Sequence, residues 1–166
     1  MIYVFSTLFL IIFIICAVVF FRVHKLKDIN NSLIICSDNI DDFLRKKFDI
    51  VNELLKDIKD EKIKKKFSYD DELSIYERES LLFDVSWDIN KYVKENKKTK
   101  LKDKVRELNF LEENLDGLKD YYNANVLNYN EIFLKPGFNK LFRTMHFEDY
   151  KSFKIRKLEE YEIFKN

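Results

Sequence analysis

The chain of 166 residues contains few side chains whose types and spacing suit catalysis or metal binding. Its two histidines, His24 and His146, are far apart, and neither belongs to a His-Glu-x-x-His or Glu-x-x-His sequence. Those spacings place metal ligands on one face of a helix, as in zinc proteases and di-metal carboxylate bundles. The sequence therefore predicts no metal, no cofactor and no catalytic group, and a hydrolase built on carboxylates is a distant alternative.

Cysteine, glycine and proline usage narrows the function classes further. Cys16 lies in an apolar N-terminal stretch and Cys36 on the apolar face of the next predicted helix, so no disulfide is indicated. Two glycines and the single proline, Pro136, are too few for a glycine-rich phosphate loop or for the frequent turns of a β-sandwich. The net charge of +1 gives no global attraction to nucleic acid, so no nucleic-acid partner is expected.

A tyrosine-asparagine pair occurs twice in the sequence YYNANVLNYN, at Tyr122-Asn123 and again seven residues later. At about 100° per residue, both tyrosines and the valine between them fall on one apolar stripe. A glutamate, a lysine and both asparagines form a polar line beside it, expected at the edge of a helix interface. Such residues either set the register of packed helices or contact a ligand or partner. The set is Glu112, Lys119, Tyr122, Asn123, Val126, Tyr129 and Asn130.

This spacing resembles the Tyr-Asn-x-x-Val-x-x-Tyr-Asn pattern of the LemA family of bacterial membrane-anchored helical proteins. In that family a glutamate usually precedes the first tyrosine by ten residues and a basic residue precedes it by three, which correspond to Glu112 and Lys119. An earlier family signature is approached by IDDFLRKKFDI at residues 40–50. The resemblance implies one N-terminal anchor followed by a helical domain, and it supplies no catalytic residue.

The first 21 residues, MIYVFSTLFLIIFIICAVVFF, contain no charged side chain. Roughly 20 apolar residues in a helix cover the ~30 Å hydrocarbon core of a bilayer. A cleaved signal peptide would need a positively charged start, a shorter apolar run and a small-x-small cleavage sequence, none of which is present. Residues 1–21 are therefore predicted to be a retained transmembrane anchor.

Positive charge follows the apolar segment directly, at Arg22, Lys25 and Lys27. Because positive residues flank membrane segments on the cytoplasmic side, the N-terminus is expected outside and residues 22–166 in the cytoplasm of a bacterial cell. The same three side chains are expected to contact anionic lipid headgroups, at about 1 kcal/mol each.

Apolar residues recurring at three and four predict three long amphipathic helices, at about 22–62, 70–95 and 100–134. Short turns between them predict an antiparallel up-down bundle over residues 22–137. Residues 138–166 are predicted to be an aromatic segment followed by a marginal helix, which would make a shorter fourth element.

The lysine-rich turn at 94–104 would face the bilayer if the second helix returned towards it. On the predicted lengths it would stop about 20 Å short, so lipid contact would need a tilted helix.

The function predicted from the sequence is that of a LemA-like, single-pass membrane protein with a structural or interaction role. The alternative is an adaptor that recruits a cytoplasmic protein to the envelope, and self-association is also open. An exposed apolar patch around residues 81–87 would favour the adaptor, whereas a closed pocket with two or more carboxylates would favour the hydrolase.

Overall fold

The computed structural model describes residues 2–67 and 72–155, and no β-strand occurs within them. The predicted all-α bundle, with one long apolar N-terminal helix, is confirmed. The elements in chain order are α1 (Ile2–Asp57), α2 (Glu61–Lys66), α3 (Ile75–Glu95), a 3₁₀ turn (Thr99–Leu101), α4 (Lys102–Phe133) and α5 (Asn139–Thr144).

Helix α1 joins the apolar N-terminal segment to the bundle without a break, because no glycine or proline interrupts it. Its first part is the only described segment that is long and apolar enough to cross a membrane, and the apolar side chains there are exposed. From Leu26 onward a stripe of side chains is buried because other elements cover it. The apolar members are Leu26, Leu33, Cys36, Ile40, Leu44, Val51, Leu54 and Leu55.

Helix α4 and the turn before it carry buried residues at alternating spacings of four and three. This heptad spacing keeps one narrow stripe facing the neighbouring helices over the whole length of the helix. Two members of the stripe are charged, and they belong to the site described below. The stripe is Leu101, Val105, Leu108, Glu112, Leu115, Lys119, Tyr122, Val126, Tyr129 and Phe133.

The chain divides into two compact units. One contains residues up to Ile35 together with Tyr122–Ser152, and the other contains Cys36–Tyr121 together with the described residues from Phe153 onward.

Within the second unit, α4 runs antiparallel to α1. Near the start of α4, Lys104 lies 2.6 Å from Glu53 in the last turns of α1. Further along α4, the carbonyl oxygen of Leu118 accepts a hydrogen bond from the thiol of Cys36, at 3.5 Å.

Helix α3 runs parallel to α1, which differs from the expected up-down alternation. Arg78 in the first turn of α3 lies 2.7 Å from Asp41, well before the end of α1. At the other end of α3, Lys97 and Lys98 line one cavity together with Asp57, the last residue of α1. Helix α4 is therefore antiparallel to both of the other long helices.

The parallel arrangement goes with a chain that turns back along α1 after Asp57, which the described residues 58–67 show, instead of a tight turn. Helix α1 ends at Asp57, earlier than predicted, and the side chain of Asp60 caps α2 by accepting from the amide of Lys62 at 2.8 Å. The ring of Phe67 then stacks on Phe48 at 5.3 Å, back along α1.

The start of α3 is fixed by a capping box at Ser74 and Glu77, whose side chains and backbone amides satisfy each other. Because α3 runs parallel to α1, the lysine-rich turn after it lies beside the C-terminal end of α1, at Asp57. The sequence-based expectation of a turn that faces the bilayer depends on an α3 that returns along α1, and within the second unit α3 runs parallel to α1.

After α4 the chain turns at Pro136-Gly137, where Gly137 has a φ of 85° that favours glycine. Helix α5 follows, and then an irregular segment in which Phe153 is buried against the ring of Tyr76, at 4.5 Å. The predicted marginal terminal helix lies outside the described residues.

Candidate functional site

Five charged side chains form a buried charge cluster between α1, α3 and α4. The ammonium group of Lys119 lies 2.9 Å from Glu79 Oε1 and 2.6 Å from Asp116 Oδ1. The ammonium of Lys47 donates to Glu112 Oε2. Both lysines are 0% exposed and both glutamates 2%. The cluster is Lys47, Glu79, Glu112, Asp116 and Lys119.

Helical spacing puts these charges in the core. Lys47 lies between Leu44 and Val51 on the buried stripe of α1, at spacings of three and four. Glu112 and Lys119 are seven residues apart and flank Leu115 on the stripe of α4. A side chain at such a position faces the partner helix whatever its polarity, so each charge must find its counter-charge across the interface.

Three carboxylates and two ammonium groups leave the cluster with a surplus of negative charge if all five are ionised. Burial is the main cause that raises the pKa of Asp116, and the charges of Glu112 and Glu79 add to it against the opposing attraction of Lys119. For Lys119, burial lowers the pKa, but attraction to Glu79 and hydrogen bonds to its two carboxylates outweigh burial, so its pKa is raised. The lysine therefore stays protonated, and Asp116 takes up a proton at higher pH than an ordinary aspartate does.

Further polar contacts join α3 to both α4 and α1. The amides of Asn90 and Asn109 exchange hydrogen bonds at 2.9 and 3.2 Å, and Asn90 also donates to the carbonyl of Ser86. On the α1 side, Arg78 and Asp41 form a half-buried ion pair at 2.7 Å. Together these contacts specify which residues of α3 face which helix, because any slip would leave buried polar groups unpaired.

The charges of the cluster are paired with one another in the core. Its carboxylates are held by ammonium groups, and the described cavities are lined by other residues. Among the described residues no group of three or more His, Cys, Asp or Glu side chains could hold a metal ion. A buried ion-pair network of this kind selects one helix arrangement at some cost in stability.

The one acidic and the one basic member of the tyrosine-asparagine set lie deeper in the helix interface than expected. Glu112 and Lys119 were predicted at the edge of the interface, but both are in the core. A helical wheel of 100° per residue places these two residues at the edge of the stripe. The buried stripe instead follows a heptad repeat, and in that repeat both positions face inward. Asn123 and Asn130 are half-buried, beside the stripe.

The tyrosines of the set belong to the apolar stripe of α4. Tyr122, Val126 and Tyr129 are each at most 2% exposed. The ring of Tyr129 lies 5.5 Å from that of Phe133 and meets the ring of Tyr150 edge-on at 5.1 Å. Burial, with smaller contributions from Tyr150, Asp149 and Glu148, raises the pKa of the Tyr129 phenol, so this group stays neutral in the physiological range.

Aromatic side chains after α4 extend this packing. Phe142 stacks between Phe133 and Phe138, with centroids 6.3 and 5.9 Å away. The hydroxyl of Tyr150 donates to Asn30 Oδ1 of α1 at 2.7 Å. The early part of the predicted aromatic segment therefore closes the first unit.

Of the three predicted lipid-contacting residues, the structure brings two together. Arg22 and Lys25 line one cleft with Lys135, from the turn after α4, while Lys27 is exposed outside it. The guanidinium of Arg22 lies 4.4 Å above the ring of Phe138.

The histidines and cysteines are dispersed. His24 is exposed on α1, 3.9 Å from Asp28, and His146 is exposed after α5. Cys16 and Cys36 are free thiols, and burial raises the pKa of the Cys36 thiol.

Sequence reasoning missed Lys47, Glu79 and Asp116 as members of a site. A signal was present for Lys47, which occupies a stripe position of α1 otherwise filled by apolar residues, and a weaker one for Glu79, whose stripe on α3 also holds Ser86 and Asn90. Asp116 could not be found this way, since it lies next to the stripe and joins the cluster only through Lys119.

Comparisons of the chain with protein-family models, with curated proteins and with solved structures find no match.

Proposed function

We propose that this chain is a single-pass protein of the bacterial cell membrane whose helical bundle has a structural or interaction role and no chemistry of its own. The N-terminus lies outside and residues 22–166 lie in the cytoplasm. The positive residues directly after the apolar segment support this orientation, because they are retained on the cytoplasmic side.

The observation that carries the proposal is the continuity of α1. One helix of 56 residues begins as an exposed apolar segment and ends as a packed member of the bundle. Exposed apolar surface of this length is stable in a bilayer and not in water. A helix that contains both the apolar segment and a member of the bundle suits a tethered scaffold.

Membership of the LemA family is part of the same proposal. It is supported by the Tyr-Asn-x-x-Val-x-x-Tyr-Asn spacing and by the roles of its members in this fold, where both tyrosines and the valine are buried. On this basis the motif sets the packing of α4, and the asparagines at its margin set the register.

An adaptor that recruits a cytoplasmic protein is the alternative, and one face of α4 favours it. The predicted adaptor patch at residues 81–87 is mostly turned into the core. On α4, however, Phe110 and Tyr121 are 64% and 56% exposed on one helix face, and the surface at Gly117 between them is open. A hydrolase has less support, because the buried carboxylates are paired with lysines.

Membrane anchoring is tested by carbonate extraction of membranes from cells that express the full chain, followed by protease treatment of intact spheroplasts. The proposal expects the chain in the membrane pellet, with a C-terminal tag protected and an N-terminal tag cleaved. Extraction by carbonate, or cleavage of the C-terminal tag, would contradict it.

The choice between scaffold and adaptor is tested with a photoreactive residue at position 110, and at position 102 as a control outside the exposed face. Reproducible capture of one cytoplasmic protein from position 110 alone would favour the adaptor. Capture of a second copy of this chain would instead show self-association.

A further inference from the structure

The geometry points to a specific site for the phosphate of an anionic phospholipid, in the cleft formed by Phe21, Arg22 and Lys25 of α1 with Ile132 of α4 and Lys135 of the turn after it. This inference rests on the proposed membrane anchoring and adds a ligand, a site and two lysines that act together.

Charge defines the ligand. Three cationic side chains, Arg22, Lys25 and Lys135, line this cleft, and no carboxylate does. Within the described part of the chain, none of the three forms an ion pair. An anion in the cleft would therefore gain up to three charge-assisted contacts without displacing an existing one.

The position of the cleft selects a lipid over a free anion. Phe21 is the last residue of the uncharged segment, and Arg22 directly follows it, so the cleft lies where the hydrocarbon core meets the headgroup layer. The remaining walls are the apolar side chains of Phe21 and Ile132. A phospholipid would place its phosphate against the cations while its acyl chains follow the exposed apolar surface of α1.

Size and rigidity agree with a headgroup. The cleft has a volume of about 230 Å³, below the range of about 300–1,000 Å³ that is usual for drug-sized ligands. One wall is held in place, because Arg22 stacks on Phe138, whose ring in turn stacks on buried Phe142. Lys135 comes from the turn after α4, so the site needs both elements and is more than the juxtamembrane charge of α1.

The test uses the full chain in nanodiscs of phosphatidylcholine that contain a minor fraction of photoactivatable phosphatidylglycerol. The variant Lys25→Gln/Lys135→Gln removes two charges from the cleft, and Lys59→Gln/Lys140→Gln removes two exposed lysine charges outside it. Arg22 is left intact because it also contributes to membrane orientation. The measured quantity is the yield of lipid crosslinked to peptides that contain residues 21–25 or 132–135.

The expected result is a loss of crosslinking of about fivefold for each cleft lysine removed, with little change in the control variant. Unlabelled phosphatidylglycerol should compete, whereas inorganic phosphate and additional phosphatidylcholine should not. Equal yields in wild type and cleft variant, or equal losses in both variants, would overturn the site. Competition by inorganic phosphate would show a general anion site instead of a lipid site. Failure of the chain to co-purify with nanodiscs would overturn the membrane proposal itself. Co-purification is measured before lipid crosslinking, so the two failures are distinguishable.

Discussion

Lys47 of α1 and Glu112 of α4 form an ion pair in the core of the second unit, where both residues are shielded from solvent. Taking two charges out of water costs several kcal/mol per ion, and the pair recovers this only while both partners are present. The pair therefore contributes less to stability than to the choice of neighbour, because α4 cannot shift along α1 without separating the charges.

Replacing one partner should be much more harmful than replacing both. We expect Lys47→Met to lower the free energy of unfolding by about 3–5 kcal/mol, because it leaves the Glu112 carboxylate buried without its counter-charge. The double variant Lys47→Met/Glu112→Leu should recover most of that loss. Denaturant unfolding in detergent, followed by the fluorescence of the single tryptophan, Trp87, measures both. Lys46→Met is the matched control, since Lys46 is exposed beside Lys47. Equal losses in the two single variants would show that the pair is not an element of the core.

The parallel direction of α1 and α3 can be tested by chemical crosslinking. In a chain with Cys16 and Cys36 replaced by alanine, a short bismaleimide should join cysteines introduced at Asp57 and Lys98, which line the same cavity. Cysteines at Asp57 and Glu72 are the contrasting pair, because an up-down bundle would bring those two positions together across a short turn. Electrophoretic mobility under denaturing conditions reports the internal crosslink. Efficient joining of the second pair alone would show that α3 runs antiparallel to α1.

The helices themselves could be predicted from sequence, because the long apolar periodicity and the scarcity of glycine and proline are compatible with few folds other than long helices. The direction of α3 could not be. A tight turn and a returning segment are both polar and lysine-rich, and only contacts between residues distant in sequence, such as that of Phe67 with Phe48, distinguish them. Two of the five members of the charge cluster, Glu112 and Lys119, could be singled out from sequence, but the helical wheel places them at the edge of the helix interface. Their partners depend on the directions of α1 and α3, which no pattern within one helix specifies.

The pH dependence of stability should carry the signature of Asp116. Burial raises its pKa above the ordinary value of 3.8, so the folded chain holds this proton to higher pH than the unfolded chain does. Between the two pKa values the folded state binds more protons, and the free energy of unfolding must fall as pH rises. Asp116→Asn removes this titration. The wild-type free energy of unfolding minus that of the variant should therefore decrease as pH rises above 3.8 and then level off. Denaturant unfolding of both chains across this pH range gives the difference, and a difference that increased with pH would contradict the inward, desolvated placement of Asp116.

The tyrosine-asparagine motif should behave as a packing device. Tyr129 is 0% exposed against Phe133 and Tyr150, whereas Leu127, two residues earlier, is 72% exposed. We expect Tyr129→Ala to lower the free energy of unfolding by about 3–5 kcal/mol, because it opens a cavity in the aromatic cluster. Leu127→Ala, the matched control on the same helix, should change it by less than about 0.5 kcal/mol. Thermal or denaturant unfolding followed by circular dichroism of the full chain in detergent compares the two. If Tyr129→Ala left stability unchanged and instead abolished capture of a partner, the motif would be a binding site and not a packing device.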